Sequence, residues 1–425
     1  MTPGARYGAV AQVLDEIFAT TADTSQILKR WGRANRFAGS KDRRAISDIT
    51  YDILRHWPQW GGRGLTGREL ALLHMKTTGQ DVAALCGQPH GLGDLNTDEQ
   101  AVLSGALPPR TPDGQAVYED LKATFGPDLI RALAGLFERA PVDIRVHPGR
   151  IAREDLQNQL AEQGMALSPT PWSPWGLRGK SGLDLSQTEA FQSGDFEIQD
   201  EASQLAVALT AVQPGQTVVD LCAGGGGKTL ALASILASLM QTGDSDGGRL
   251  LACDIDPKRL AAITPRLERA GLSAEMRELT PGAPELADLH GQVDVVVVDA
   301  PCSGSGVWRR HPEDAWRLTA AILCERHAAQ AEVLRTAAQL LRPGGRMYYF
   351  TCSVLSSENK QKIGNLLAEI SGLRPLDLAQ QMEQQLGPEA TKDLASRGVN
   401  GHTLQLSPHT SQTDGFFIAG LTRIS

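Results

Sequence analysis

The strongest constraint on this chain lies between Gln213 and Phe350, where apolar runs ending in a turn or a carboxylate alternate with Ala/Leu-rich stretches of helical length. Val293–Val298 is aliphatic apart from Asp294, and such runs belong to central parallel strands covered on both faces. Thr217–Leu221, Arg249–Cys253 and Arg346–Phe350 read as further strands, the last entered through an RPGG turn at Arg342–Gly345. Thr229–Met240, Pro257–Ala270 and Thr319–Leu341 read as helices, and Pro265 should kink or split the second. The pattern predicts a doubly wound, Rossmann-like α/β domain with its ligand site past the carboxyl ends of the strands.

The first 140 residues carry a different period. Val10, Leu14, Ile17 and Phe18 recur at helical spacing, as do Ile46, Ile49, Ile53 and Leu54, then Leu70, Leu72, Leu73 and Met75. An all-helical region over 1–140 is expected, with loops at Gly87–Asn96 and Ala106–Gly114. Asp143–His147 then alternates like a strand with a helix behind it, which sets a small α/β module at 141–195 and leaves 196–425 to the doubly wound domain.

Lys plus Arg number 41 against 49 Asp plus Glu, a net charge of −8 in 425 residues. That excludes a chain basic all over and leaves room for a local basic patch. Leu230–Met240, eleven residues with two serines, is too short for a membrane span of about 20 residues. The opening stretch sets Asp15 and Glu16 inside its apolar pattern and shows no cleavage site. A cytoplasmic protein without a membrane partner is expected, and nothing demands more than a monomer.

The candidate functional groups stand at carboxyl strand ends. The first strand delivers Cys222 and Ala223 into Gly224, Gly225, Gly226 and Gly227, then Lys228. Glycines at a strand-to-helix turn let backbone approach a ligand and aim helix amides at it. Gly227-Lys228-Thr229 also resembles the end of a P-loop, so an NTPase is one alternative. That pattern requires a glycine where this chain has Cys222. Asp254, ending the second strand, suits ribose hydroxyls in an adenosyl-ligand site; capping the helix that starts near Pro257 is its other reading. These features favour S-adenosylmethionine over a nucleoside triphosphate.

The six cysteines form no CxxC pair, which excludes a zinc ribbon. Cys86, Cys253 and Cys324 read as buried apolar filler. Cys302, in DAPCSGSGVWRRHP (Asp299–Pro312), and Cys352, in YYFTCSVLSSEN (Tyr348–Asn359), fall on one rim with Asp299 beside them. A metal would need more Cys or His than the nearby His311 provides, and none is expected. Two thiols, a carboxylate and a methyl donor suit methylation of a pyrimidine at carbon 5. That carbon is a poor nucleophile until a thiolate adds to carbon 6 and makes the ring an enamine. A carboxyl group on the N3/N4 edge stabilises the adduct. A second thiol can assist its breakdown.

These two cysteine motifs resemble those of the RsmB/NOP family of S-adenosylmethionine-dependent RNA 5-methylcytosine methyltransferases, and Glu197–Leu209 and Asp414–Leu421 resemble its flanking signatures. The resemblance covers about 141–425. It implies a class I methyltransferase domain behind an RRM-like module, with Cys352 as nucleophile and Cys302 aiding product release. Asp299 would then contact base and cofactor, Asp254 the ribose, and Cys222–Lys228 the rest of the cofactor. The chain departs from the family in reading CAGGGGKT for CAAPGGKT, and in holding Thr280 where an acid often lies near the adenine. The helical region is similar to the NusB-like RNA-binding domain of the ribosomal RNA enzymes, which points to ribosomal RNA, with transfer RNA as the alternative substrate.

Lys29–Arg44 carries seven basic residues (Lys29, Arg30, Arg33, Arg36, Lys41, Arg43 and Arg44) and one acid, a local +6 interleaved with Trp31 and Phe37. The inversion of local charge favours a phosphate-tracking surface over a merely solvated helix face. Arg309 and Arg310 are candidates to grip phosphates beside the target, and Trp308 reads equally as a stacking group or a core residue. A non-catalytic RNA-binding assembly factor is the remaining alternative, and two thiols plus Asp299 at one rim argue against it.

Overall fold

The computed structural model describes residues 1–56, 64–107, 112–240 and 248–424. They fall into two compact units, one comprising Met1–Glu119 with Trp308–Ala321, the other Asp120–Val307 with Ile322–Ser425.

The first unit is helical. Its elements include α1 (Pro3–Ala19), α2 (Thr24–Ala34), α3 (Ser40–His56), α4 (Gly67–Thr77), α5 (Val82–Cys86) and α6 (Thr97–Ser104). The starts are written in the sequence: Thr2 caps α1 ahead of Pro3, and Thr66/Glu69 and Asn96/Glu99 form capping boxes on α4 and α6. The apolar periodicity becomes a core of Val10, Leu14, Ile17, Ile27, Ile46, Ile53 and Leu70. The segment Trp308–Ala321 belongs to this unit. Trp316 stacks on Phe18 with ring centroids 4.0 Å apart, Glu313 Oε1 accepts from the Thr24 amide at 3.2 Å, and Arg317 donates to the Ala22 carbonyl at 2.7 Å. Of the expected loop at Ala106–Gly114, residues 108–111 lie outside the described residues, and from Pro112 the chain is already helical, to Phe125.

The second unit holds two sheets. The smaller consists of β1 (Val142–Val146), β2 (Leu167–Pro169), β3 (Gly176–Gly179) and β4 (Phe196–Ile198) in the order β2-β3-β1-β4, antiparallel throughout. Ile144, Val146, Leu177 and Phe196 pack there against Leu156 and Leu160 of the helix Arg153–Glu162. The larger sheet has nine strands among the described residues: β5 (Thr217–Asp220), β6 (Arg249–Asp254), β7 (Glu275–Glu278), β8 (Val293–Asp299), β9 (Leu341–Thr351), β10 (Leu373–Pro375), β11 (Val399–Asn400), β12 (Thr403–Leu406) and β13 (Phe416–Arg423). Its order is β11-β12-β13-β9-β8-β5-β6-β7, with β10 paired to β13. Strands β5 to β9 run parallel and β13 runs antiparallel to β9. The winding reverses between β5 and β8, the switch point where open α/β sheets bind ligands. Val295–Val298 are fully buried, as their unbroken aliphatic character requires.

Pro265 does split its helix, giving Pro257–Ala261 and Thr264–Ala270 with the proline in the first turn of the second. The RPGG stretch does not form a separate turn. β9 starts at Leu341, straight after the helix Ala320–Leu340, and its register on β8 jumps from Val293↔Leu341 to Val295↔Arg346. Gly344 has φ +77°, and a Cβ on Gly345 would lie 2.8 Å from the Val293 carbonyl oxygen, so the glycines make a bulge possible here. No helix among the described residues is long and apolar enough to cross a membrane.

Candidate active site

The glycine turn leaves β5 and enters the helix Gly227–Met240. It is anchored on both neighbouring strands: Leu221 N–H donates to the Val297 carbonyl and Ala223 N–H to the Cys253 carbonyl, each at 2.9 Å. Gly224 (φ +55°) and Gly226 (φ +85°) take the left-handed conformation that glycine accepts without cost. A Cβ on Gly226 would stand 2.9 Å from Ile263 Cγ1, so no other residue fits.

Asp254 closes the turn from the end of β6. Its Oδ2 accepts from the Gly224 amide at 2.7 Å and its Oδ1 from the Asp256 amide at 2.9 Å. The helix after it is capped by Asp256, which accepts from the Lys258 and Arg259 amides. Capping is therefore not the task of Asp254. Each of its oxygens keeps a lone pair for a further donor. Ile255, next in the chain, is 74% exposed despite its apolar side chain.

The two thiols meet where β8 and β9 end. Gly306 N–H donates to the Cys352 carbonyl at 2.9 Å, and Cys302 Sγ lies 3.4 Å from Cys352 Sγ. A buried polar clamp sets this spacing. Glu358 accepts from the Ser303 amide at 2.8 Å, from Gln330 Nε2 at 3.0 Å and from the Ser303 hydroxyl. Gln330 also donates to the Pro301 carbonyl at 3.0 Å, so both sides of Cys302 are held. On the Cys352 side, Ser305 Oγ and Ser353 Oγ are 3.0 Å apart and Asn359 Nδ2 donates to the Ser353 carbonyl at 2.9 Å. The hydrogen bond to Cys352, followed by burial, pushes the Cys302 thiol well above its usual range. Cys302 is thereby kept a neutral thiol beside the other sulfur.

Charge is concentrated on the same rim. Lys228 is buried, and its Nζ lies 2.6 Å from Asp299 Oδ2 and 5.1 Å from the centroid of the Phe416 ring. Asp220 is fully buried; its Oδ2 accepts from Thr229 Oγ1 at 2.7 Å, while its Oδ1 has no hydrogen-bond partner. Burial, with the Asp299 and Asp254 carboxylates adding to it, raises Asp220 to about 7. Burial and the same carboxylates push the Cys222 thiol well above its ordinary value. Asp254 and Asp299 stand here with Lys228, Arg266 donates to the Gly225 carbonyl, and the orphaned Asp220 oxygen suits a ligand that brings hydrogen-bond donors. The amino group and ribose hydroxyls of S-adenosylmethionine meet that description. No cluster of three or more His, Cys, Asp or Glu able to hold a metal exists among the described residues.

The structure thus brings together Cys222–Lys228, Asp254, Asp299, Cys302 and Cys352. Two expectations need correction: Arg309 is only 5% exposed, so it does not offer a surface cation to a phosphate, and Cys324 is exposed, not buried filler; Arg310 is half-buried. Trp308 is buried as well, which realises its core-residue reading. Thr280 lacks a carboxylate of its own, but Glu285 supplies one against its amide at 3.1 Å and against its hydroxyl. Sequence reasoning did not single out Glu358, Gln330 or Ile255. Glu358 stands inside the quoted SEN string, and an isoleucine directly after a strand-ending acid was the available signal for Ile255.

Comparison with known proteins agrees with this geometry. The family model for the 16S rRNA methyltransferase RsmB/F matches residues 207–422, and that for the ferredoxin-like domain of RsmF/B-like methyltransferases matches 117–186. The chain is 27% identical to a ribosomal RNA small subunit methyltransferase B of Erwinia tasmaniensis over 97% of both chains. It is 31% identical to the protein of that name in Pseudomonas syringae pv. tomato, over 74% of this chain and 67% of the other. Among solved structures, PH0851 superposes with a TM-score of 0.72 at 23% identity, covering 99% of each chain.

Proposed function

Since the chain belongs to the RsmB/F family of 16S rRNA methyltransferases, and so is an S-adenosylmethionine-dependent RNA methyltransferase, we propose that it methylates carbon 5 of a cytosine in ribosomal RNA through a covalent bond between Cys352 and carbon 6 of the ring. The observation that carries this reading is the pair of thiols 3.4 Å apart on a rim shared with the Lys228–Asp299 ion pair.

The roles are those the two cysteine motifs imply: Cys352, in the TCS motif, is the nucleophile, and Cys302, whose sulfur lies 3.4 Å away, aids release of the product. Its attack forms the S–C6 bond and sends the ring electrons toward N3 and N4, where Asp299, oriented by Lys228, binds the edge of the base. Carbon 5 becomes the nucleophile of an enamine. When bound, S-adenosylmethionine supplies the methyl group that this carbon takes. Gly224–Gly227 give it backbone approach, Asp254 has lone pairs for its ribose hydroxyls, and the Asp299 carboxylate favours its positive charge. Transfer of the carbon-5 proton to water then re-forms the C5=C6 double bond and breaks the S–C6 bond, whose electron pair leaves with Cys352 as a thiolate that accepts a hydrogen bond from Cys302. The target base must be unpaired or flipped out, because carbon 6 is covered in a stack. Lys29, Arg30, Arg33, Arg36, Lys41, Arg43 and Arg44 are proposed to hold RNA phosphates.

The test separates the two sulfurs. Cys352→Ala should abolish methyl transfer to small-subunit RNA and leave S-adenosylmethionine binding intact. Cys302→Ala should accumulate a protein–RNA adduct that survives denaturing electrophoresis. Bisulfite sequencing of RNA from a deletion strain would identify the cytosine. Methylation by Cys352→Ala at the wild-type rate would refute the assignment.

A further inference from the structure

Six of the seven cations in Lys29–Arg44 stand exposed without an ion-pair partner among the described residues: Lys29, Arg33, Arg36, Lys41, Arg43 and Arg44. Arg30 is paired with Glu16. The one acid of the stretch, Asp42, is already neutralised by Arg6 and the N-terminal ammonium, 2.9 and 3.2 Å away. Between α2 and α3, among these cations, lies an open cleft of about 380 Å³ with chiefly apolar walls. Leu28, Gly32 and Tyr51 line its more buried part, and the exposed Lys29, Arg33 and Arg43 line it as well. Gly32 shapes it, since a Cβ there would sit 2.9 Å from Arg43 Cδ. Burial, with Glu313 adding to it, pushes the Tyr51 hydroxyl up to about 12.

Tracking a phosphate backbone needs surface cations only. An apolar cleft with an aromatic wall, set among unneutralised cations, offers more than that. Its volume lies in the range of small-ligand sites, and a nucleobase is flat, apolar on its faces and tethered to two phosphates. We propose that the cleft between α2 and α3 binds one unpaired nucleotide of RNA, with its base against Leu28 and Tyr51 and its phosphates on Lys29, Arg33 and Arg43. This rests on the RNA reading given above. It adds a recognition site in the helical unit, separate from the residues that carry out the chemistry. A paired base cannot enter, so the cleft discriminates looped RNA from duplex.

The full-length protein is titrated, by fluorescence anisotropy, with a hairpin bearing a six-uridine loop and with a blunt duplex of equal length. Stacking of one base is worth about 1–3 kcal/mol, so the hairpin should bind roughly 10-fold tighter than the duplex. Ser47→Trp and Ser25→Trp each fill the cleft without removing a cation. Each should abolish the preference while changing duplex affinity less than about twofold. A hairpin preference kept by both variants overturns the proposal, as does a wild-type protein that binds both RNAs equally. Should neither variant fold, photocrosslinking of wild-type protein to the hairpin with 5-iodouridine in its loop decides: adducts on Leu28 or Tyr51 support the site, and adducts only outside 25–51 overturn it. If the wild type binds neither RNA, and Lys29→Glu with Arg33→Glu changes nothing, the RNA reading of this surface has itself failed.

Discussion

Glu358 gives the sharpest test of whether the spacing of the two thiols is imposed by the protein. The carboxylate is fully buried and takes hydrogen bonds from the Ser303 amide, Gln330 Nε2 and the Ser303 hydroxyl, which flank Cys302. In Glu358→Ala the hydroxyl keeps Ser353 Oγ at 3.3 Å, but the Ser303 amide and one Gln330 hydrogen lose their acceptor. Each donor left unsatisfied costs about 1–3 kcal/mol, so the turn is loosened by ~2–6 kcal/mol. If about 3 kcal/mol of that reaches the transition state as misplacement of Cys302, the rate falls roughly 100-fold. Glu358→Gln presents one amide oxygen to both N–H donors, and its NH₂ faces a hydroxyl that can rotate to accept, so it should stay within about 10-fold of wild type. The assay is multiple-turnover methylation of small-subunit RNA, with the protein–RNA adduct followed by denaturing electrophoresis, alongside calorimetric S-adenosylmethionine binding. Cofactor affinity should change less than about threefold, because no hydrogen bond of Glu358 goes to the glycine turn. A folded Glu358→Ala protein that turns over within about threefold of wild type would refute the clamp.

Two further substitutions probe the cofactor side. Gly226→Ala forces a side chain into the left-handed region and against Ile263, and should weaken S-adenosylmethionine binding about 10-fold or more by calorimetry; unchanged affinity would show that the turn is no cradle. Asp220 titrates near 7 in the folded chain against 3.8 for the unfolded group, so between about pH 4 and 7 the folded state binds the extra proton. Its contribution to stability is therefore lost as pH rises through that window, by on the order of 4 kcal/mol. Asp220→Asn should flatten the fall in urea midpoint between pH 5 and pH 8, and an unaltered pH profile would contradict this.

What was legible in the sequence is what is written locally. Strand β8 announces itself through Val295–Val298, because the middle of a strand covered on both faces is apolar at consecutive positions. Pro265 splits a helix wherever it stands in one. The cysteine motifs could be placed on one rim because parallel strands share a direction, so their carboxyl ends must coincide. Asp254 had two local readings, and only the observed cap by Asp256 left it to the turn.

The residues that escaped notice depend on partners distant in the chain. Glu358 is 55 positions from Ser303, and nothing at either site encodes the pairing. Arg309 follows the Cys302 motif closely enough to look like part of it. It belongs instead to Trp308–Ala321, a segment of the unit otherwise built from the first 119 residues, where Trp316 finds Phe18 and Glu313 finds the start of α2. The sequence offers Arg309 as an RNA contact beside Lys29 and Arg43, and burial separates them: an arginine 5% exposed cannot meet a phosphate without first being uncovered, whereas the unpaired cations of α2 and α3 already face solvent. The proposed electrostatic grip on RNA therefore rests on Lys29–Arg44, far along the chain from the thiols.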